Sequence, residues 1–247
     1  MNIIIPIAGA NKSSSETEYI KTLQEIERKT VLQYVFESLQ TVSAEHFVIV
    51  IKREDVTKYH LDDIARLLRP GTEVVVAQGQ TRGAACTCML AVDKLNMDEP
   101  LLITGSDQIL LEPIDRIIDD FVRHDYDGGV AIFDDVHPRW SYVKLNEEGH
   151  VIEAAEKRPI SRNAVAGLYY YKKAQYFFDA AKKMILKNAS VNEQFFICPA
   201  FNEMILQQQI IGTYQIKKDQ YFSFSHQSGV DAYKAFLAAQ KNGGQGK

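Results

Sequence analysis

The sequence predicts a three-layer α/β domain built on a mostly parallel central sheet, with a small substrate-facing lobe. Three observations carry that expectation. Continuously apolar, β-branched runs recur through the first half of the chain. Segments of helical periodicity separate them. After about residue 136 the alternation gives way to a hairpin-like pattern. Strands that are apolar without interruption and alternate with amphipathic helices belong to a parallel sheet covered on both faces.

Taken in order, residues 2–7, 47–51, 73–77, 100–104 and 129–133 read as strands, each bounded by turn residues. Helices are expected between them. Residues 30–42 place Val31, Leu32, Val35, Phe36, Leu39 and Val42 on one face, and residues 55–68, 83–95 and 112–124 follow the same rule. Runs 141–145 and 151–155 flank Asn146-Glu147-Glu148-Gly149, a turn signal between two short strands. A strand at 165–171, helices near 173–187 and 194–207, a strand at 211–216 and a helix at 230–240 complete the chain, with a frayed tail from 242. No internal repeat, heptad run or long linker interrupts it. One domain over 1–247 is expected, with 1–135 as a nucleotide-binding part and 136–247 as a substrate-binding part with C-terminal helices.

Composition narrows the function. With 28 Lys and Arg against 32 Asp and Glu the formal charge is −4, so a surface built to hold nucleic-acid backbone is not expected. Three cysteines, Cys86, Cys88 and Cys198, show neither a disulfide framework nor zinc-ligand spacing, and Cys86 and Cys88 read as core residues of a cytoplasmic protein. The apolar opening run is broken by Pro6 and is far shorter than the ~20 residues that span a bilayer, so it reads as a strand and no membrane insertion is expected.

Ligands of an open parallel sheet bind at the carboxyl ends of its strands, so the candidate residues are those that follow the strand-like runs. After the first strand, Ala8-Gly9-Ala10-Asn11-Lys12 and the later Lys21 combine small residues, which let backbone approach phosphate oxygens, with point charges. After the third strand, Gln78-Gly79-Gln80-Thr81-Arg82-Gly83 offers amides that can pair with a base edge, a guanidinium for a phosphate, and a glycine that leaves room for a flat ligand. After the fourth, Asp107 in Thr104-Gly105-Ser106-Asp107-Gln108 either holds Mg²⁺ with phosphate oxygens and water or caps the following segment. Glu156-Lys157-Arg158-Pro159 is either a substrate-binding triplet or a solvated charge run. His137-Pro138-Arg139-Trp140 reads equally as a substrate lid or a packed corner.

Together these segments resemble the sugar-nucleotidyltransferase (nucleoside-diphosphate-sugar pyrophosphorylase) family. In that family an opening strand leads to a Gly-rich loop and a Pro-Lys pair, then to a Gln…Gly base-binding loop, a strand ending in Gly-Asp and a Glu-Lys-Pro motif. The matching stretches here are residues 3–10 with Lys21, Gln78 with Gly83, Ser106-Asp107 and Glu156-Lys157-Arg158-Pro159, across about residues 1–175. The resemblance implies a Rossmann-like (GT-A/nucleotidyltransferase-like) fold. The implied reaction couples a nucleoside triphosphate to a phosphorylated sugar or related small molecule and releases pyrophosphate. Mg²⁺ is the implied cofactor, surface-polysaccharide precursors are the implied product class, and a homo-oligomer is compatible with it.

By carry-over, Lys21, Asp107 and Lys157 are the catalytic candidates, with Asp107 on the metal. Ala8, Gly9, Ala10, Lys12, Gln78, Arg82 and Gly83 would bind the nucleotide, and Tyr142, Glu156, Lys157 and Gly167 the second substrate. The chain departs from the pattern in three places. Asn11, Lys12 and Ser13 stand where the family carries a second Gly and an Arg, and Ile20 replaces the Pro before Lys21. Phe224-Ser225-His226-Gln227-Ser228-Gly229 lies where a second metal-binding Asp is expected, leaving His226 or Asp231 to enter the site. The strand order and acidic strand end also resemble the nucleotide half of family-2-like glycosyltransferases, although Ser106-Asp107-Gln108 holds one of the two carboxylates of their Asp-x-Asp motif. A non-catalytic nucleotide-binding module of the same fold is the remaining alternative.

Overall fold

The computed structural model describes residues 1–8 and 21–243; Gly9, Ala10 and Lys12 lie outside the described residues, as does the tail beyond 243. The elements in chain order are β1 (Asn2–Pro6), β2 (Glu25–Ile26), β3 (Lys29–Thr30), α1 (Val31–Ser38), β4 (His46–Lys52), α2 (Arg53–Tyr59), α3 (Leu61–Leu68), β5 (Glu73–Ala77), α4 (Ala84–Met89), β6 (Leu101–Thr104), β7 (Gln108–Leu110), α5 (Ile114–Arg123) and β8 (Gly128–Asp134). The second half holds β9 (Ser141–Leu145), β10 (Val151–Glu156), β11 (Asn163–Tyr171), α6 (Ala174–Leu186), α7 (Phe201–Ile205), β12 (Ile211–Gln215), β13 (Tyr221–Ser223) and α8 (Gln227–Gly243).

The expected sheet forms. β5, β4, β1 and β6 lie side by side in parallel, and β8 and β12 pair in parallel. Antiparallel β11 joins the two groups, bonding β6 on one edge and β8 on the other. Successive residues of one strand face opposite layers. Accordingly Ile4, Val48, Val50, Leu101 and Ile103 pack with α4, α6 and α7. Ile3, Ile5, Ile49, Ile51 and Leu102 pack with α1, α3 and α5 on the other side. A third, smaller core joins α1, α8 and the β7–β13 pair through Ile109, Phe222, Phe224 and Tyr233.

Gly167 governs the junction between the two halves. Its φ of +62° sits inside β11, where the register slips between Val165 and Tyr169. C-terminal to it, Leu168–Tyr171 run along β6; N-terminal to it, Ala164 pairs with Tyr142 of β9. The β9–β10 hairpin, turned at Asn146-Glu147-Glu148-Gly149 as expected, is thereby set beyond the end of β6, facing the carboxyl ends of the parallel strands.

Several boundaries differ from expectation for local reasons. The 55–68 segment divides at His60, whose left-handed backbone (φ +50°) caps α2 before α3 starts. Within 194–207 only Phe201–Ile205 is α-helical, because Pro199 sits in the preceding 3₁₀ turn and residue 195 bonds to residues 82 and 85 instead. The last helix begins three residues earlier than expected, at Gln227.

Candidate active site

Asp107 follows β6 and is partly buried. Its carbonyl accepts the Phe224 N–H at 2.7 Å, so the β13–α8 connection is bound directly to the acidic strand end. Lys21 stands beside it: the ammonium donates to the Ser225 carbonyl at 2.7 Å. Burial pushes the Asp107 carboxyl above its ordinary range, and the neighbouring Lys21 and then His226 act against that shift. His226 is thus brought near the carboxylate, whereas Asp231 accepts from Gln227 Nε2 at 2.9 Å on the exposed side of α8.

A cavity of about 250 Å³ opens here, lined by Pro6, Thr87, Asp107, Gln108, Gly167 and Tyr169 among others. Thr87 on α4 donates to the Gly83 carbonyl at 3.2 Å and lies 2.6 Å from the Thr81 hydroxyl. Glu156, at the end of β10, accepts from the Ser141 hydroxyl. Burial raises the Glu156 carboxyl, while Ser141 and Lys157 pull it back. The Tyr169 phenol is driven well up by burial, with Cys198 and Glu156 adding to the effect, so Glu156 and the cavity wall share one poorly solvated region.

The residues carried over from the family are distributed as follows. Asp107 and Gly167 line the cavity, and Lys21 and Glu156 adjoin it. Ala8 is fully buried at the end of β1. Gly83 adopts φ +109°, and a Cβ there would meet the Phe195 carbonyl at 2.4 Å, so its role includes packing against residue 195. Gln78 and Arg82 are exposed and outside the cavity wall. Gln78 accepts from Arg53 Nε at 2.7 Å, and the Arg82 guanidinium lies 5.1 Å from the Phe195 ring centre. Lys157, in a left-handed conformation (φ +53°), extends to the surface over the Phe196 ring. Tyr142 is corrected by its surroundings: it is fully buried and its hydroxyl donates to the His137 carbonyl at 2.7 Å, leaving no surface for a ligand.

Sequence reasoning did not single out Thr87, Ser141 or Tyr169, and did not weigh Gln108. Each is an ordinary residue of a helix or strand, and its place in the site follows from pairings across the sheet. The 137–140 segment forms a packed corner. Trp140 meets Phe133 and Tyr221 edge-on at 5.4 and 5.6 Å, and with them borders a separate cavity of about 660 Å³. Phe133, Trp140 and Tyr221 belong to the α5 side of the sheet and Tyr169 to the α4 side, so the two cavities lie on opposite faces. Cys88 is fully buried and Cys86 packs against the same core.

A divalent cation is compatible with this donor set in one form. Among the described residues no three His, Cys, Asp or Glu side chains cluster as a metal cage. Asp107 is a carboxylate in the cavity wall, and Mg²⁺ is commonly held by one or two carboxylates completed by phosphate oxygens and water. A carboxyl whose ionisation is penalised by burial gains from such a partner. Among the described residues no helix is long and apolar enough to cross a membrane.

Comparisons with known proteins agree with the fold. The sequence profile of the family described as nucleotidyl transferase matches residues 15–220. Among proteins of curated function none matches the sequence. A nucleoside-diphosphate-sugar pyrophosphorylase from Vibrio cholerae superimposes with a TM-score of 0.79 at 20% identity, over 96% of this chain and 99% of that one. A UDP-glucose pyrophosphorylase complexed with UDP-glucose gives 0.77 at 18% identity, over 96% and 98%. The inositol-1-phosphate CTP transferase from T. maritima gives 0.72 at 14%, over 93% and 91%. At these identities the likeness is one of fold.

Proposed function

The chain belongs to the nucleotidyl transferase family, and from that premise we propose that it joins a nucleoside triphosphate to a phosphorylated sugar or related small molecule, releasing pyrophosphate. The observation that carries the reading is the joint placement of Asp107 and Lys21 beside the cavity at the carboxyl end of β6, with Glu156 near Tyr169 of the cavity wall.

In this reading an oxygen of the substrate phosphate forms a bond to the α-phosphorus of the triphosphate. The bond from that phosphorus to its bridging oxygen breaks, and the electron pair leaves with pyrophosphate. No covalent enzyme intermediate is needed, so the protein's work is positioning and charge neutralisation. Lys21 lies against the triphosphate, with Gly9, Ala10 and Lys12 completing the cradle. Gln78, Arg82 and Gly83 form the base side. Glu156 accepts hydroxyl hydrogen bonds from the second substrate, Gly167 gives it room, and Lys157 swings in to its phosphate. When bound at Asp107, Mg²⁺ supplies further neutralisation of developing phosphate charge.

The names of the fold relatives, which include a pyrophosphorylase acting on UDP-glucose and a CTP transferase for inositol 1-phosphate, support a phosphorylated sugar or polyol as the second substrate. We take the product class to be precursors of surface polysaccharide. Three unpaired cysteines, two fully buried, support a reducing cytoplasmic setting.

Incubation with each nucleoside triphosphate, Mg²⁺ and a panel of phosphorylated sugars and polyols tests the reading. Pyrophosphate and a nucleotide-linked product are expected from one combination. Release of a nucleoside diphosphate from a preformed nucleotide sugar, with no pyrophosphate from any triphosphate, would replace it with the glycosyltransferase reading.

A further inference from the structure

We propose that Gln108 is a positioning residue that fixes the two halves of the site relative to each other, holding Asp107 on one side and Gly167 on the other. The role rests on the function assigned above. The clamp itself rests on geometry.

Gln108 is nearly fully buried, immediately after Asp107. Its Nε2 donates to the Gly167 carbonyl at 2.7 Å and to the Thr104 hydroxyl at 3.2 Å, and its Oε1 accepts from the Tyr221 hydroxyl at 3.1 Å. One side chain thus ties the end of β6, the break in β11 and strand β13. A glutamine amide has two N–H donors, and both are engaged here. It is therefore committed to the protein instead of reading a ligand.

The two flanking glycines fit around it. A Cβ on Gly167 would fall 2.0 Å from Gln108 Oε1, and one on Gly105 would fall 3.1 Å from Gln108 Cδ. At Gly167 β11 leaves β6 to reach β9, so the amide closes the gap that the departing strand opens. On its other flank, Asp107 is held by Phe224. The spacing from Asp107, where the triphosphate is placed, to Gly167, where the second substrate is placed, runs through this amide. For in-line displacement such spacing governs rate, and a shift of about 1 Å can cost ~100-fold.

Two variants test it. Gln108→Leu keeps bulk and removes every polar contact. Gln108→Asn keeps an amide but shortens its reach by one methylene. Trp140, the single tryptophan, packs on Tyr221 with ring centres 5.6 Å apart, so its emission at one fixed neutral pH reports the clamp without any substrate. The emission of Gln108→Leu should shift from that of wild type, with Gln108→Asn between the two. In parallel, kcat should drop ~100-fold in Gln108→Leu and less in Gln108→Asn, with the nucleotide KM held within about 3-fold. Wild-type emission from a folded Gln108→Leu protein would overturn the clamp. Altered emission with unchanged kcat would overturn the positioning role. Absence of turnover in the wild type, with the emission shift intact, would overturn the assigned reaction and leave the clamp standing.

Discussion

The Lys21 ammonium donates to the Ser225 carbonyl at 2.7 Å, joining residues 204 positions apart in the chain. The contact secures the start of α8 against the 3₁₀ turn at Lys21–Leu23 and aims a cation beside Asp107. Lys21→Met keeps the aliphatic stem and removes the charge. It should lower kcat/KM by ~100-fold or more, an effect of about 3 kcal/mol. Lys21→Arg should recover part of that loss. Steady-state pyrophosphate release measures both, and a Lys21→Met protein of wild-type rate would remove Lys21 from the site.

Asp107 should trade stability for activity. Burial raises its pKa in the folded protein, outweighing Lys21 and His226. The folded state therefore holds this proton more tightly than the unfolded state, and stability falls as pH rises through the unfolded carboxylate value toward the folded one. Above that window Asp107→Asn should be the more stable protein, by on the order of 1 kcal/mol, or roughly 2–4 °C in Tm for a chain of this size. The same variant should lose pyrophosphate release. Thermal unfolding at pH 7 without ligand is the check; a lower Tm for the variant would contradict it.

Those two residues also mark how far the sequence could be read. The uninterrupted runs that become β1, β4, β5, β6 and β8 carry enough apolar periodicity to be recognised alone, and with them the rim where Asp107 sits. The three-residue strands β7 and β13 leave no such signal, since each exists through its pairing with the other across more than a hundred residues. The anchoring of Lys21 at Ser225 and of Gln108 at Gly167 and Tyr221 depends on those pairings. Tyr142 illustrates the converse: a position suggested by motif likeness is turned inward by the alternation of β9, where its neighbour Ser141 faces Glu156.

The corner at Asp135 should be acid-sensitive. Burial of this carboxyl opposes ionisation, but it is outweighed by Lys218 at 2.9 Å and by the backbone N–H groups of His137 and Val136, and the pKa falls to about 2. A depressed carboxylate contributes stability above its unfolded pKa of ~3.9 and loses it as pH falls toward the folded value. Wild type should therefore lose stability between about pH 4 and 2. Asp135→Asn should be less stable by ~1–3 kcal/mol at neutral pH and show a shallower acid decline. Denaturant titrations at several pH values would reveal the difference, and parallel curves would refute it.

Glu156 should set the acid limb of the reaction. In the proposed reaction it would accept hydrogen bonds from substrate hydroxyls best when ionised, and burial pushes its pKa upward while Ser141 restrains the rise. Ser141→Ala removes the restraint. The acid limb of kcat/KM for the second substrate should move to higher pH in the variant, with the nucleotide KM unaffected. Identical limbs in both proteins would show that Glu156 is not the titrating group.

Gly83 is where the start of α4 is laced to the segment ahead of α7. The Arg82 carbonyl accepts from the residue 195 N–H at 2.7 Å, and the Ala85 N–H returns a bond to the residue 195 carbonyl at 3.0 Å. Gly83 passes between them with φ +109°. An added Cβ would meet the Phe195 carbonyl oxygen at 2.4 Å and its nitrogen at 2.7 Å, both rigid backbone atoms. Gly83→Ala therefore combines an unfavourable backbone region with a clash that side-chain rotation cannot relieve. It should cost ~3 kcal/mol and lower Tm by roughly 6–12 °C. Gly79→Ala, with nothing within 4 Å of its Cβ and no such φ, should leave Tm unchanged. If the two variants melted together, close packing would be ruled out as the reason for glycine at position 83.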